Sequence, residues 1–328
     1  MQTRIRFFIL HAALMLLLPA GIMQYRPAAH PDSAAEDIPP AEAMLSGTYK
    51  VLICGTGTVQ EVPQRDYLIG AVGAEMPASY EPEALKAQAV ACRTYAERIK
   101  MQNAAEPDPA LCGADFSDDS SRYQAFFTED ELRQFYGSSF DEAYARIAAA
   151  VDAAGGFLLC YDGEPIVAAF HAVSAGETES AENVWGNALP YLVSVPSDAD
   201  RSAPDYEETV SIPPETLQKA LCAQDPACSF PENPAEWFSA PECSTAGSVL
   251  QIRCGSTVWS GQLLREVLAL RSACFSVTYD GGQFLFTTHG FGHNVGMSQF
   301  GADAMAKEGC SFSEILQHYY PDTVLTPV

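Results

Sequence analysis

The sequence predicts an α+β fold: two lobes around a groove, the second lobe inserted into the first, preceded by an N-terminal membrane anchor. Three observations carry that expectation. Helical periodicity and short hairpin patterns interleave along the chain, without the strict strand–helix alternation of a parallel sheet. Near residue 198 the texture changes: Asp, Pro and Ser become dense and a cysteine cluster follows. Arg4 and Arg6 precede Phe7 to Met23, an apolar run with one imidazole, His11, and no full charge.

The N-terminal run fits a signal sequence or a short anchor, at residues 7–23. Positive charge before it places residues 1–6 in the cytoplasm and the body outside. Residues 24–47, rich in Pro and Ala with scattered acids, read as a flexible tether. The folded part is expected over 48–328, with the inserted lobe at about 198–276. The chain has 328 residues, 48% of them hydrophobic, which suffices for a real core. A net charge of -24 with only 18 Lys and Arg repels phosphate backbones, so nucleic acid is excluded as a partner.

Tyr49–Ile53 reads as the first strand. Residues 71–77 read as an apolar, small-residue turn around Glu75. From Glu81 to Lys100 a helix is expected, with Pro82 in its first turn and Leu85, Ala89, Cys92, Ala96 and Ile99 as its apolar stripe. Lys86 and Arg93, seven residues apart, share one face beside that stripe. Met101–Ser121 reads as a loop. Ser139 and Glu142 have capping-box spacing and would open a helix to about Ala154, stopped by Gly155-Gly156. Phe157–Tyr161 and Ile166–His171 flank Asp162-Gly163 as a hairpin. A helix is expected near Gly261–Leu270. A second hairpin, Phe275–Tyr279 with Phe284–Thr288, turns at Asp280-Gly281-Gly282. A helix over Gln299–Glu308 ends at Gly309, and Ser311 with Glu314 caps a last one up to Tyr320.

Ten cysteines are present, and Cys222, Cys228, Cys243 and Cys254 cluster. Two local disulfides in three pairings, free thiols, and a zinc site are the alternatives. The zinc site is disfavoured by the missing Cys-x-x-Cys knuckle and the lack of a nearby His.

Three segments carry chemistry. In the first, Glu75 is the one carboxylate among apolar, small residues. Such surroundings disfavour the charged form and raise the pKa, as a general acid needs near neutral pH. The bland account is a Glu placed before a helix by the macrodipole. The second is Gly290 to Gln299, where glycines frame His293, suited to bonding a substrate hydroxyl or positioning an acid. Equally, it is a tight turn whose His donates to a carbonyl. No lysine follows in phosphate-loop spacing. The third, His171 to Glu179, includes Ser174, but no Gly-x-Ser-x-Gly elbow supports a serine nucleophile. Trp185 and Tyr191 offer aromatic surface for sugar rings or for core packing. Asp115, Asp118 and Asp119 lack calcium-loop spacing. No cofactor and no metal is expected.

Together and in this order, these segments resemble the stage II sporulation protein D family. Residues 66–98, through Glu75-Met76-Pro77 to Leu85-Lys86-Ala87-Gln88-Ala89-Val90 and Arg93-Thr94-Tyr95-Ala96, resemble its first motif. Residues 174–195 resemble its second. Leu270-Arg271-Ser272 with Cys274-Phe275 resembles the run closing its inserted lobe, and residues 290–321 its last motif. There are departures: Gly73 and Cys92 stand where alanine is common, Ala175 and Asn294 replace glycines, and Val193 stands where some relatives carry lysine.

The resemblance implies a lytic transglycosylase acting on peptidoglycan glycan strands during forespore engulfment. Glu75 then corresponds to the family's essential acid, Lys86 and Arg93 to its Lys and Arg on the following helix, and Tyr191 to a tyrosine near its site. Beside these, Gln88, Ser174, His293 and Gln299 are expected at the substrate from their own segments. It also implies a stage II sporulation protein P-like amidase and a stage II sporulation protein M-like membrane scaffold as partners. The location implied is the cell membrane, single-pass, with the catalytic domain outside the cytoplasm. Three alternatives stand beside it. One is a non-catalytic wall-binding enhancer of an amidase. Another is a muramidase using Asp115 or Asp118 as second acid. The third, a metal-dependent peptidase, is disfavoured by the missing His-Glu-x-x-His.

Overall fold

The computed structural model describes residues 45–328. The expected cytoplasmic residues 1–6, the anchor 7–23 and the linker up to residue 44 lie outside the described residues.

The folded part opens with β1 (Thr48–Ile53), which buries Tyr49 and Val51 on one side. It pairs antiparallel with β2 (Thr58–Pro63). The strand β2 is exposed along nearly all its length, so no apolar alternation announces it in the sequence. It runs directly into α1 (Gln64–Glu75), and this corrects the turn expected at 71–77. Small residues there do not break the chain. They let other segments come close. A Cβ at Gly70 would collide with the Phe127 carbonyl oxygen and the Phe126 ring, and one at Gly73 would stand 2.6 Å from a Leu132 methyl. Gly70→Ala is therefore expected to cost about 1–3 kcal/mol by overpacking, read as a lower urea midpoint with an unchanged slope.

Helix α2 (Pro82–Ala105) starts at Pro82 as expected and runs to Ala105. Residues Leu85 and Ala87 through Ala96 are all buried, so it is the central helix of the fold. A loop containing the short strand β3 (Phe116–Ser117), parallel to β1, leads to α3 (Glu129–Tyr136). A true capping box, Thr128 with Glu131, opens α3. Helix α4 (Phe140–Ala154) has the expected span, but Ser139 makes no side-chain cap bond. It lies instead in a 3-10 turn, Gly137–Ser139, that continues from α3.

Strands β4 (Phe157–Tyr161) and β5 (Glu164–Pro165) form a hairpin of only two residue pairs around Asp162-Gly163, both at positive φ. The expected second hairpin strand does not continue to His171. Residues Phe170–His171 form β6 and later pair elsewhere. A short helix α5 (Ala181–Trp185) follows. Next come β7 (Glu207–Ile212), α6 (Pro214–Gln224), β8 (Glu242–Cys243), β9 (Val249–Cys254), β10 (Thr257–Trp259) and α7 (Gly261–Val267). The hairpin of β11 (Phe275–Asp280) and β12 (Gln283–His289) turns at Gly281-Gly282 as expected, and β7 joins its edge. Strand β13 (Met297–Ser298) pairs in parallel with β6. Then follow α8 (Gln299–Lys307) and α9 (Phe312–Tyr319), the latter with the expected Ser311–Glu314 box. β14 (Val324–Pro327) closes on β4.

The result is a mixed α+β fold with two hydrophobic clusters. One gathers β1, α1, α2, α4 and the C-terminal helices. The other holds Leu217, Trp237, Ile252, Trp259, Phe284 and Phe286. Among the described residues, no helix is long and apolar enough to cross a membrane.

Candidate active site

Glu75 is the last residue of α1, and the Met76 N–H closes the helix onto the Val72 carbonyl. This reverses the bland account of the sequence, because a carboxylate at a helix C-terminus faces the negative end of the macrodipole. Glu75 Oε1 accepts a hydrogen bond from the Ala125 backbone N–H at 2.9 Å. Burial pushes its pKa up to about 7, and the Ala125 amide offsets only part of that rise. No charged side chain among the described residues contributes to the shift. With its pKa raised to near neutrality, the acid can both give and take a proton.

Gln299, the first residue of α8, donates through Nε2 to the Glu75 carbonyl oxygen at 3.0 Å and toward Gln88 Oε1 at 3.4 Å. Gln88, fully buried on α2, donates to Cys92 Sγ. The fold therefore brings Gln299 of the distant helix α8 onto the end of α1, at Glu75, and toward Gln88 of α2. Ser298 seats α8: its hydroxyl caps the Gly301 N–H and donates to Asp200 Oδ1 at 2.9 Å. Asp200 Oδ2 also accepts the Ser174 N–H at 2.9 Å. Ser174 is fully buried, and its hydroxyl accepts the Gly176 N–H. Asp200 has no sequence signature of its own, and the carboxyl is held above its ordinary pKa by burial.

His293 packs beside His171 and Trp185, with ring centroids 5.7 Å apart in both pairs. Its Nδ1 accepts the Val295 N–H. His171 Nδ1 donates to the Val295 carbonyl oxygen, so its Nε2 is an acceptor, buried without a partner among the described residues. Burial lowers the pKa of His171 to about 4 and that of His293 well below the ordinary value, so both rings are neutral at pH 7. Tyr191 accepts the Val167 N–H at its hydroxyl and packs on Tyr161.

Lys86 pairs with Glu83 at 2.5 Å, and Glu83 also accepts the Phe312 N–H. Arg93 is 4% exposed and pairs with Glu97 at 3.2 Å, above the Tyr49 ring. These contacts tie Arg93 to the β1 side of α2. Asp115 and Asp118 accept the Lys50 and Cys54 N–H groups, fastening their loop to β1. Among the described residues, no group of three or more His, Cys, Asp or Glu side chains is placed to hold a metal ion.

Comparison with known proteins gives a consistent picture. The family model SpoIID, stage II sporulation protein, matches residues 54–161. The chain is 37% identical over 270 residues to stage II sporulation protein D of Bacillus subtilis, covering 82% of this chain and 76% of the relative. It is also 37% identical over 267 residues to stage II sporulation protein D of Bacillus amyloliquefaciens, covering 80% and 74%. Against an amidase enhancer of Bacillus subtilis it is 28% identical over 310 residues, covering 79% of this chain and 40% of that protein.

Proposed function

The chain belongs to the stage II sporulation protein D family, and from that premise we propose that it is a peptidoglycan lytic transglycosylase with Glu75 as its single acid and base. The observation that carries this reading is one carboxyl with a pKa of about 7, shifted by burial and touched by one backbone amide. Glu75 protonates the oxygen linking N-acetylmuramic acid to N-acetylglucosamine, and the bond from that oxygen to the muramic anomeric carbon breaks with positive charge developing there. The muramic C6 hydroxyl oxygen then attacks that carbon and gives its proton to the Glu75 carboxylate. The product is a 1,6-anhydro end, and the acid is restored for the next turnover. Intramolecular attack needs no second carboxylate and gains from high effective concentration.

The substrate is the glycan strand, preferably free of peptides, lying in a groove between the two lobes. Lys86, partly exposed and paired with Glu83, is the cation proposed to orient it. Gln88 and Gln299 fix the backbone that carries the acid. The setting is septal wall remodelling during engulfment, with the N-terminal segment as a single-pass anchor and the folded body outside the cytoplasm. An amidase like stage II sporulation protein P and a scaffold like stage II sporulation protein M are the proposed partners.

A second reading is favoured by one observation, the likeness to an amidase enhancer. Under it the chain binds wall glycan and stimulates a partner amidase without cutting. Digestion of peptide-free glycan strands separates the two. Transglycosylation gives fragments lighter by one water than those with reducing ends. Reducing ends reassign the chain to a muramidase, and uncut strands with stimulated amidase favour the enhancer.

A further inference from the structure

Gln124 lies in the loop between β3 and α3 and is 4% exposed. Its Nε2 donates to the Tyr67 hydroxyl on α1 at 2.9 Å and to the Cys92 carbonyl oxygen on α2 at 3.2 Å. A carbonyl only accepts, so the amide nitrogen must face Cys92. The next residue in the chain, Ala125, gives its N–H to Glu75. One side chain thus ties together the helix that carries the acid, the helix beside it, and the loop that supplies the acid's hydrogen-bond donor.

The Oε1 atom of Gln124 is buried with no partner among the described residues. Leaving such an acceptor unpaired costs about 1–3 kcal/mol. The loop has other fastenings. Phe126 stacks on Tyr67 with centroids 5.0 Å apart, and the Phe127 N–H bonds the Gly70 carbonyl at 3.3 Å. Losing the Gln124 amide therefore loosens the loop at Ala125 without freeing it.

We propose that Gln124 is a positioning residue that, by bridging Tyr67 and Cys92, holds the Ala125 amide at hydrogen-bonding distance from the Glu75 carboxylate. The inference rests on Glu75 being the general acid and base. An N–H aimed at a carboxylate stabilises the ionised form. With the amide slackened, that form loses this donor, and Glu75 holds its proton to higher pH.

The test compares the full-length wild type, Gln124→Leu and Tyr67→Phe. Glu75 is titrated directly through its side-chain carboxyl carbon by NMR, and glycan cutting is followed against pH. The expected result for Gln124→Leu is a titration midpoint higher by about one pH unit, a tenfold gain in proton affinity. Tyr67→Phe, which removes only one of the two acceptors, moves it the same way by less. The alkaline limb of kcat/KM follows, with KM near the wild-type value. A folded Gln124→Leu whose Glu75 titrates as in the wild type overturns the inference. If that variant does not fold, Tyr67→Phe decides by the same criterion. Failure of the transglycosylase reading looks different: the wild type then leaves no anhydro ends, while the titration still decides what Gln124 does.

Discussion

Glu75→Gln is expected to abolish the cutting of peptide-free glycan strands while leaving the protein folded and more stable than the wild type above pH 7. The amide nearly matches the carboxylic acid in shape and keeps an oxygen to accept from Ala125. It can neither give a proton to the leaving oxygen nor take one from the attacking hydroxyl. A single positioned acid–base group contributes about 10²–10⁴-fold. Here one group serves both steps, so the loss lies at the upper end of that range or beyond it. The stability change has a definite sign. The folded pKa of about 7 lies above the ordinary carboxylic value, so the native state binds the proton more tightly than the unfolded chain. The stabilisation this gives is complete at low pH and is lost as pH rises through 7. Above that the wild type carries a buried negative charge that the Gln variant lacks. The advantage of the variant comes to about 2 kcal/mol after the partial exposure of the residue is allowed for. Urea melts at pH 4 and pH 8 check it: the two proteins are expected to separate only at the higher pH. Wild-type cutting rates in the variant would remove Glu75 from the mechanism.

Asp200→Ala is the second large effect, and it acts on the frame rather than on the reacting bond. Asp200 is fully buried and accepts from the Ser174 backbone and the Ser298 hydroxyl, one on each oxygen. Its removal strands a buried N–H and a buried O–H, and each loss costs about 1–3 kcal/mol. The expected destabilisation is therefore about 3 kcal/mol or more, well above the median for a point change. The consequence reaches Glu75, because Ser298 caps α8 and the next residue, Gln299, bonds the Glu75 carbonyl. Denaturant melts measure the first part, and the cutting rate of the folded fraction measures the second. A variant with wild-type stability would show that the network around Ser298 does not hold α8 in place.

Some of this was plain in the chain, and particular residues show why. The central helix α2 is legible because Leu85, Ala89, Cys92, Ala96 and Ile99 recur at helical spacing behind an N-terminal proline. The Ser311–Glu314 box is legible because both halves of a cap lie within one turn. The same pattern at Ser139 fails because Ser139, although it stands at the start of α4, belongs to the 3-10 turn that continues from the preceding helix, and its side chain makes no cap bond. Helix α1 hides behind Gly70 and Gly73, which look like turn residues locally and are packing contacts in three dimensions. The acid at position 75 is legible because no other carboxyl shares its apolar surroundings. Its donor is not, since a backbone N–H such as that of Ala125 leaves no mark on residue type.

The local sequence determined the segments whose signal lies within a few turns, such as α2 and the Ser311–Glu314 cap, and it marked Glu75 as a carboxyl in apolar company. The family motifs add the order in which those segments come. Only the folded chain decides that Glu75 closes a helix rather than precedes one, and that the Ala125 N–H and Gln299 reach it from the β3–α3 loop and from α8. It also decides that Arg93 turns to Glu97 and Tyr49. The reason is that a carboxyl's proton affinity is a property of its surroundings, and water can be kept from it only by segments far away along the chain.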